Sequence, residues 1–142
     1  MRRLTVAKTP IDELIDTDRQ LTRLVFGYLV GAAFWLVVGT WVGFYLSLKF
    51  LWPDLDGVSW LGFGRLRPIH TNTVFWGWAS HGMVGLAYYV VPRTCRRTLH
   101  SYRLGWMALA SMSASVVVGD ACLAAGINNG AQEYREYVWP AM

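Results

Sequence analysis

The run LVFGYLVGAAFWLVVGTWVGFYLSL, residues 24–48, decides the fold class: its 25 residues carry no charge, and Arg23 and Lys49 bracket it. A bilayer's hydrocarbon core takes about 20 apolar residues in a helix. Two further runs share this character. Residues 69–92 are uncharged when histidine is counted as neutral, and residues 104–127 are interrupted only by Asp120. Lipid offers the backbone no hydrogen-bond partner, so only helices or closed barrels cross it, and runs this long and unalternating are not barrel strands. The pattern predicts an all-α membrane protein with transmembrane helices over about 24–48, 69–92 and 104–127, behind a tail over 1–23. The first run is too long, and too far from the start, for a secretory signal.

A net charge of +4 in a chain that is 54% hydrophobic raises the question of nucleic acid, but the positions of the charges point elsewhere. Arg2, Arg3, Lys8, Arg19 and Arg23 lie in the tail, and Arg93, Arg96, Arg97 and Arg103 lie between the second and third runs. Only Lys49, Arg65, Arg67 and Arg135 fall on the other side. Basic residues accumulate on the cytoplasmic side of membrane proteins. The expected topology has a cytoplasmic N-terminus, an outer first loop, an inner second loop and an outer C-terminal stretch. The expected surroundings are the lipid bilayer, with no nucleic acid.

Within the tail, Thr9-Pro10 opens a short amphipathic helix, and Asp12, Glu13 and Asp16 suit the positive end of its dipole. Ile11, Leu14, Ile15 and Leu21 are placed either on the membrane surface or in a solvated tail held by its neighbours. The first span carries Gly27-x3-Gly31 and Gly39-x3-Gly43. Each pair makes a flat patch that a helix can approach closely. The pairs start 12 residues apart, about 120° of helical rotation, so they should meet different neighbours. Cys95 and Cys122 lie toward opposite ends of their helices and are expected to be plain thiols.

The stretch with the most chemistry is Gly64-Arg65-Leu66-Arg67-Pro68-Ile69-His70-Thr71-Asn72. Pro68 is expected in the first turn of the second span, with His70 just inside it. A histidine in a membrane helix is costly without a partner. A haem iron suits a neutral imidazole, and Arg65 and Arg67 would then flank the propionates. The alternative is a histidine bonded to a neighbouring carbonyl or hydroxyl. His81 follows 11 residues later, on nearly the same face but about 16 Å along the helix, so the two cannot clasp one iron. A structural hydrogen bond is its expected use. His100, in the basic loop, reads as solvated. Asp120 is expected either to be hydrogen-bonded toward the bundle interior or to relay protons, and Ser111, Ser113 and Ser115 on the same span suit interhelical hydrogen bonds. Glu133 and Glu136 are three apart in the C-terminal stretch. Their hard oxygens suit calcium; pairing with Arg65 or Arg67, or an unliganded loop, are the alternatives.

Taken together these residues resemble the beginning of subunit I of a cbb-type haem-copper oxidase. The stretch from Gly64 to Asn72 is similar to the family's segment around a low-spin haem b ligand. Tyr88-Tyr89-Val90-Val91-x-Arg93-Thr94-Cys95 resembles the end of that helix, and Glu133-Tyr134-x-Glu136-x-x-Trp139-Pro140 resembles the outer segment before a fourth span. The three occur in family order over about residues 20–142.

The resemblance implies that residues 24–142 are the first quarter of a twelve-helix bundle. It implies His70 as one axial ligand of low-spin haem b, Arg65 and Arg67 near its propionates, and Glu133 or Glu136 near a calcium. No family role passes to His81, where an asparagine or apolar residue is usual. The second axial histidine, the copper histidines, the high-spin haem ligand and the active-site tyrosine have no counterpart here. The implied function is therefore that of a piece of the catalytic subunit of a terminal respiratory oxidase in the bacterial inner membrane, inactive alone. The complete enzyme would take electrons from cytochrome c-type subunits through haem b to a high-spin haem and copper, reduce oxygen and translocate protons. The remaining helices of subunit I would be its partners. A nitric oxide reductase large-subunit fragment and a non-catalytic membrane remnant or accessory subunit are the alternatives.

Overall fold

The computed structural model describes residues 9–55, 57–130 and 135–138. Among them the regular structure is all helical, with no strand. Helix α1 spans Pro10–Asp16 and α2 spans Arg19–Leu48. Two short 3₁₀ turns, Pro53–Leu55 and Ser59–Leu61, fill the first loop. The second run forms one continuous helical rod: α3 over Phe63–Asn72, a π-helical segment over Thr73–Ala79, and α4 over Ser80–Cys95. Helix α5 spans Tyr102–Ala125. Two helices, α2 and α5, are long and apolar enough to cross a membrane.

Local chemistry sets the helix ends. Pro10 stands at the start of α1, and the Thr9 amide and hydroxyl both donate to Asp12 Oδ2, at 2.9 and 2.6 Å, which ties the cap to the first turn. Asp18 caps α2 by accepting from the amides of Gln20 and Leu21 at 2.9 and 3.1 Å, which occupies donors that a helix start leaves unpaired. Ser101 caps α5. Gly126 ends α5 at φ 83°, a left-handed conformation that costs glycine nothing.

The expected ends of the first span agree with α2 at Leu48, but the helix begins inside the predicted tail, because the Asp18 cap lies ahead of the apolar run. The second run differs more. Its helix begins at Phe63, so Pro68 sits inside α3 and not in a first turn. Pro68 removes the donor to the Gly64 carbonyl, in the second residue of the helix, while its own carbonyl accepts from Thr71 Oγ1 at 3.2 Å and from Asn72 Nδ2 at 2.8 Å. The π segment was not expected. In its wider turns the Ser80 hydroxyl bonds the Phe75 carbonyl at 3.0 Å, and His81 Nδ1 bonds the Trp76 carbonyl at 3.1 Å, each five residues back.

Helix α2 is the centre against which α3, the π segment, α4 and α5 pack. Its two glycine pairs meet different partners, as their rotation predicts. A Cβ at Gly27 would lie 2.5 Å from the Trp106 ring of α5, and one at Gly39 would lie 2.8 Å from Val74 of the π segment. The opposite flank of α2 is open and apolar, with Phe26, Phe34, Trp41 and Phe44 all more than half exposed, the pattern of a surface meant for lipid or further helices. At one end Leu46, Leu66, Ile69, Leu123 and Tyr137 form a compact core.

At the other end α1 is pinned to the last turn of α4 and to Arg96, which caps it. Arg93 pairs with Asp16 at 3.3 Å and Arg96 with Asp12 at 3.8 Å. Of the four apolar tail residues, Ile15 and Leu21 are buried against their neighbours, Ile11 is half-buried and Leu14 is exposed. Tail and second loop therefore share one end of the molecule, and the first loop lies at the other. Cys95 and Cys122 are both free thiols.

Candidate functional site: a glycine-cradled imidazole and its polar neighbours

His70 projects from α3 into the patch made by Gly39 and Gly43. A Cβ at Gly43 would stand 2.6 Å from His70 Cε1 and 2.9 Å from Nδ1, so only glycine admits the ring. The missing side chain also uncovers the Gly39 carbonyl one turn earlier. His70 Nδ1 lies 2.8 Å from that oxygen. A carbonyl only accepts, so Nδ1 carries a proton, and in the neutral form of the ring the lone pair is on Nε2. Among the described residues Nε2 makes no hydrogen bond. A ring whose second nitrogen is held by a backbone carbonyl is oriented as metal-binding imidazoles are.

His81 is the contrasting case. It is fully buried, and both its nitrogens are engaged, Nδ1 with the Trp76 carbonyl at 3.1 Å and Nε2 with Ser113 Oγ at 3.0 Å. This is the expected structural hydrogen bond, and it ties α4 to α5 through one of the three serines singled out in the sequence. Tyr28 packs beside it, with ring centroids 6.2 Å apart, and donates to the Gly105 carbonyl at 3.1 Å. His100 is exposed, as expected.

Arg65 reaches across to α5. Its Nη1 donates to the Ala124 carbonyl at 2.8 Å, where a cation meets the negative helix end, and a Cβ at Gly126 would fall 3.0 Å from Nη2. Arg67 is exposed on α3. Glu136 pairs with neither in the way the alternatives supposed; its Oε2 accepts from Asn72 Nδ2 at 2.8 Å. Glu133, Trp139 and Pro140 lie outside the described residues. Among the described residues no three metal-binding side chains converge.

Asp120 is hydrogen-bonded toward the interior. Its Oδ2 accepts from Thr73 Oγ1 and its Oδ1 from the Tyr137 hydroxyl, both at 2.7 Å. Burial, then the Asp120 and Glu136 carboxylates, push the Tyr137 hydroxyl far above the usual phenol range, so it stays a donor. Asn129 Nδ2 in turn donates to the Tyr137 carbonyl at 3.1 Å. Asn72, Thr73 and Tyr137 were not singled out by their sequence. Asn72 and Thr73 lie beside His70, yet only the crossing of α5 reveals what they bond. Asn72 is fully buried, and its Oδ1 has no hydrogen-bond partner among the described residues.

Comparison with known proteins gives the family of the chain. No solved structure matches the chain significantly. It is 33% identical over 111 residues to a cytochrome c oxidase subunit 1 homolog of Agrobacterium tumefaciens, covering 78% of this chain and 20% of the relative. It is 29% identical over 119 residues to the Cbb3-type cytochrome c oxidase subunit CcoN1 of Stutzerimonas stutzeri, covering 83% and 25%. It is 28% identical over 138 residues to cytochrome c oxidase subunit 1 of Rhodobacter capsulatus, covering 94% and 26%. The chain thus spans about a fifth to a quarter of the length of these curated relatives. The family model for cytochrome c and quinol oxidase polypeptide I matches residues 23–141, which include all of α2 after its first turn, the α3–π–α4 rod and α5, and the chain belongs to that family.

Proposed function

We propose that this chain forms the opening part of subunit I of a cbb-type terminal respiratory oxidase, and that His70 is one axial ligand of its low-spin haem b. The observation that carries the proposal is the His70 ring itself: Nδ1 is committed to the Gly39 carbonyl at 2.8 Å, and Nε2 is left without a hydrogen bond among the described residues, in a cradle that a single methyl group would fill. That donor set fits an iron porphyrin. When bound, the haem would supply one-electron transfer. The chain's residues hold and orient: Gly39 fixes the tautomer, Gly43 makes room for the ring, and Arg65 and Arg67 place positive charge on the same helix, within one and a half turns of His70, for the propionates.

In this reading the α3–π–α4 rod crosses the membrane as α2 and α5 do, with the N-terminus cytoplasmic. The remaining helices of subunit I and cytochrome c-type subunits would complete the path of electrons to a haem-copper centre, where oxygen is reduced and protons are moved. Glu136 keeps Oε1 clear of hydrogen bonds among the described residues, and with Glu133 it would offer oxygen ligands to a calcium.

The test is a reduced-minus-oxidised spectrum of the assembled enzyme carrying His70→Ala. Loss of the low-spin haem b signal is expected; an unchanged signal rules out the ligand assignment. Metal analysis of the same preparation should find stoichiometric calcium, and its absence would remove that part of the proposal.

A further inference from the structure

The end of the molecule away from His70 holds an open groove along α4, of about 300 Å³. Val84, Ala87, Val91 and Cys95 line it at three- and four-residue intervals, so they form one stripe of the helix. The chain then turns back at Arg96, which is left-handed at φ 50°, and the Arg97 amide returns to the Pro92 carbonyl at 3.1 Å. This turn brings Arg97 and His100 to the mouth of the groove. The stripe from Val84 to Cys95 is about 16 Å long at about 1.5 Å per residue, close to one leaflet's half of a hydrocarbon core of about 30 Å.

The charges at the mouth are unbalanced. Arg93 and Arg96 are paired with Asp16 and Asp12 of α1, whereas Arg97 has no ion pair among the described residues. Both Arg97 and His100 are exposed. An apolar trough one leaflet deep, with an unpaired cation at its rim, complements a molecule with an acyl chain and an anionic head. Basic pockets at the ends of membrane helices take such head groups.

We propose that this groove is a binding site for an anionic phospholipid, its acyl chain against Val84, Ala87 and Val91 and its phosphate at Arg97 and His100. The proposal rests on the reading that the α3–π–α4 rod crosses the membrane. A zwitterionic lipid matches the trough but not its rim, and a further helix of a longer protein would match the trough while leaving Arg97 without a counter-charge.

The test uses membranes containing the full chain, photolabelled with a diazirine-acyl phosphatidylglycerol or the matching phosphatidylcholine, with labelled peptides mapped by mass spectrometry. Phosphatidylglycerol is expected to label 84–95 roughly fivefold or more above phosphatidylcholine. The preference should disappear in the double variant Arg97→Gln/His100→Gln, whose exposed positions leave packing intact, and labelling should fall in Val91→Trp, which fills the trough. Equal labelling by both lipids overturns the proposal. So does the absence of labelling by either, and the water-soluble maleimide reactivity of Ala87→Cys then identifies what has failed. A reactive thiol there means that α4 lies in water and the membrane-crossing reading falls too; an unreactive one means that protein covers the groove, and only the lipid site falls.

Discussion

At the scale of single residues, two histidines on one helical rod have opposite fates because of what their nitrogens meet. His81 spends both on protein groups; His70 spends one. Substituting them should separate stability from spectrum. His81→Phe removes the bonds to Ser113 Oγ and the Trp76 carbonyl and should lower stability by about 1–3 kcal/mol, read as a lower melting temperature, with the haem b spectrum unchanged. Gly43→Ala places a Cβ 2.6 Å from the His70 ring. The ring must then shift or α3 must move away, at a cost of about 1–3 kcal/mol, and the haem b signal of the assembled enzyme should fall with stability. A Gly43→Ala protein with full haem b and unchanged melting would refute the cradle.

At the scale of elements, α2 depends on its cap. Burial pushes the Asp18 carboxyl up, but the hydrogen bonds from the Tyr102 hydroxyl and from the Leu21 and Gln20 amides together outweigh it and hold the carboxyl below its ordinary value. A carboxyl depressed in the folded state stabilises above its unfolded value, roughly 3.9, and that contribution is lost as pH falls through the lower folded value. Asp18→Ala should therefore cost about 1 kcal/mol near neutral pH. The gap between the melting temperatures of parent and variant should shrink on acidification below roughly pH 4. The end of α5 is equally specific. Gly126→Ala meets both a left-handed backbone and the Arg65 guanidinium 3.0 Å away, so a loss of about 1–2 kcal/mol is expected in thermal unfolding.

At the scale of the whole molecule, the pairing of α1 with the end of α4 puts the tail and the second loop at one end, while the Asn72–Glu136 and Thr73–Asp120–Tyr137 bonds hold the C-terminal stretch near the start of the rod. In intact cells, an impermeant thiol reagent should reach a Ser59→Cys probe in the first loop and should reach Cys95 only after the membrane is opened. The reverse pattern would invert the topology. The bonds to Asp120 should act as a unit: Thr73→Val and Tyr137→Phe are expected to be non-additive in a double-mutant cycle, with a coupling of about 0.5–3 kcal/mol.

The sequence by itself determined the helical class, two helices long and apolar enough to cross a membrane, and the separate duties of the two glycine pairs. These are local properties: a backbone that crosses lipid must satisfy itself within its own segment, so the length of an uncharged run and the rotation between glycines carry the information. Only the tertiary structure decided the tautomer of His70, the double engagement of His81, the Arg65 cap on α5, and the partners of Asn72, Thr73 and Asp120. Five of those bonds join residues 31 to 64 positions apart. They depend on where helices cross and on a π segment, whose wider turn no apolar spacing announces; neither is set by any segment alone.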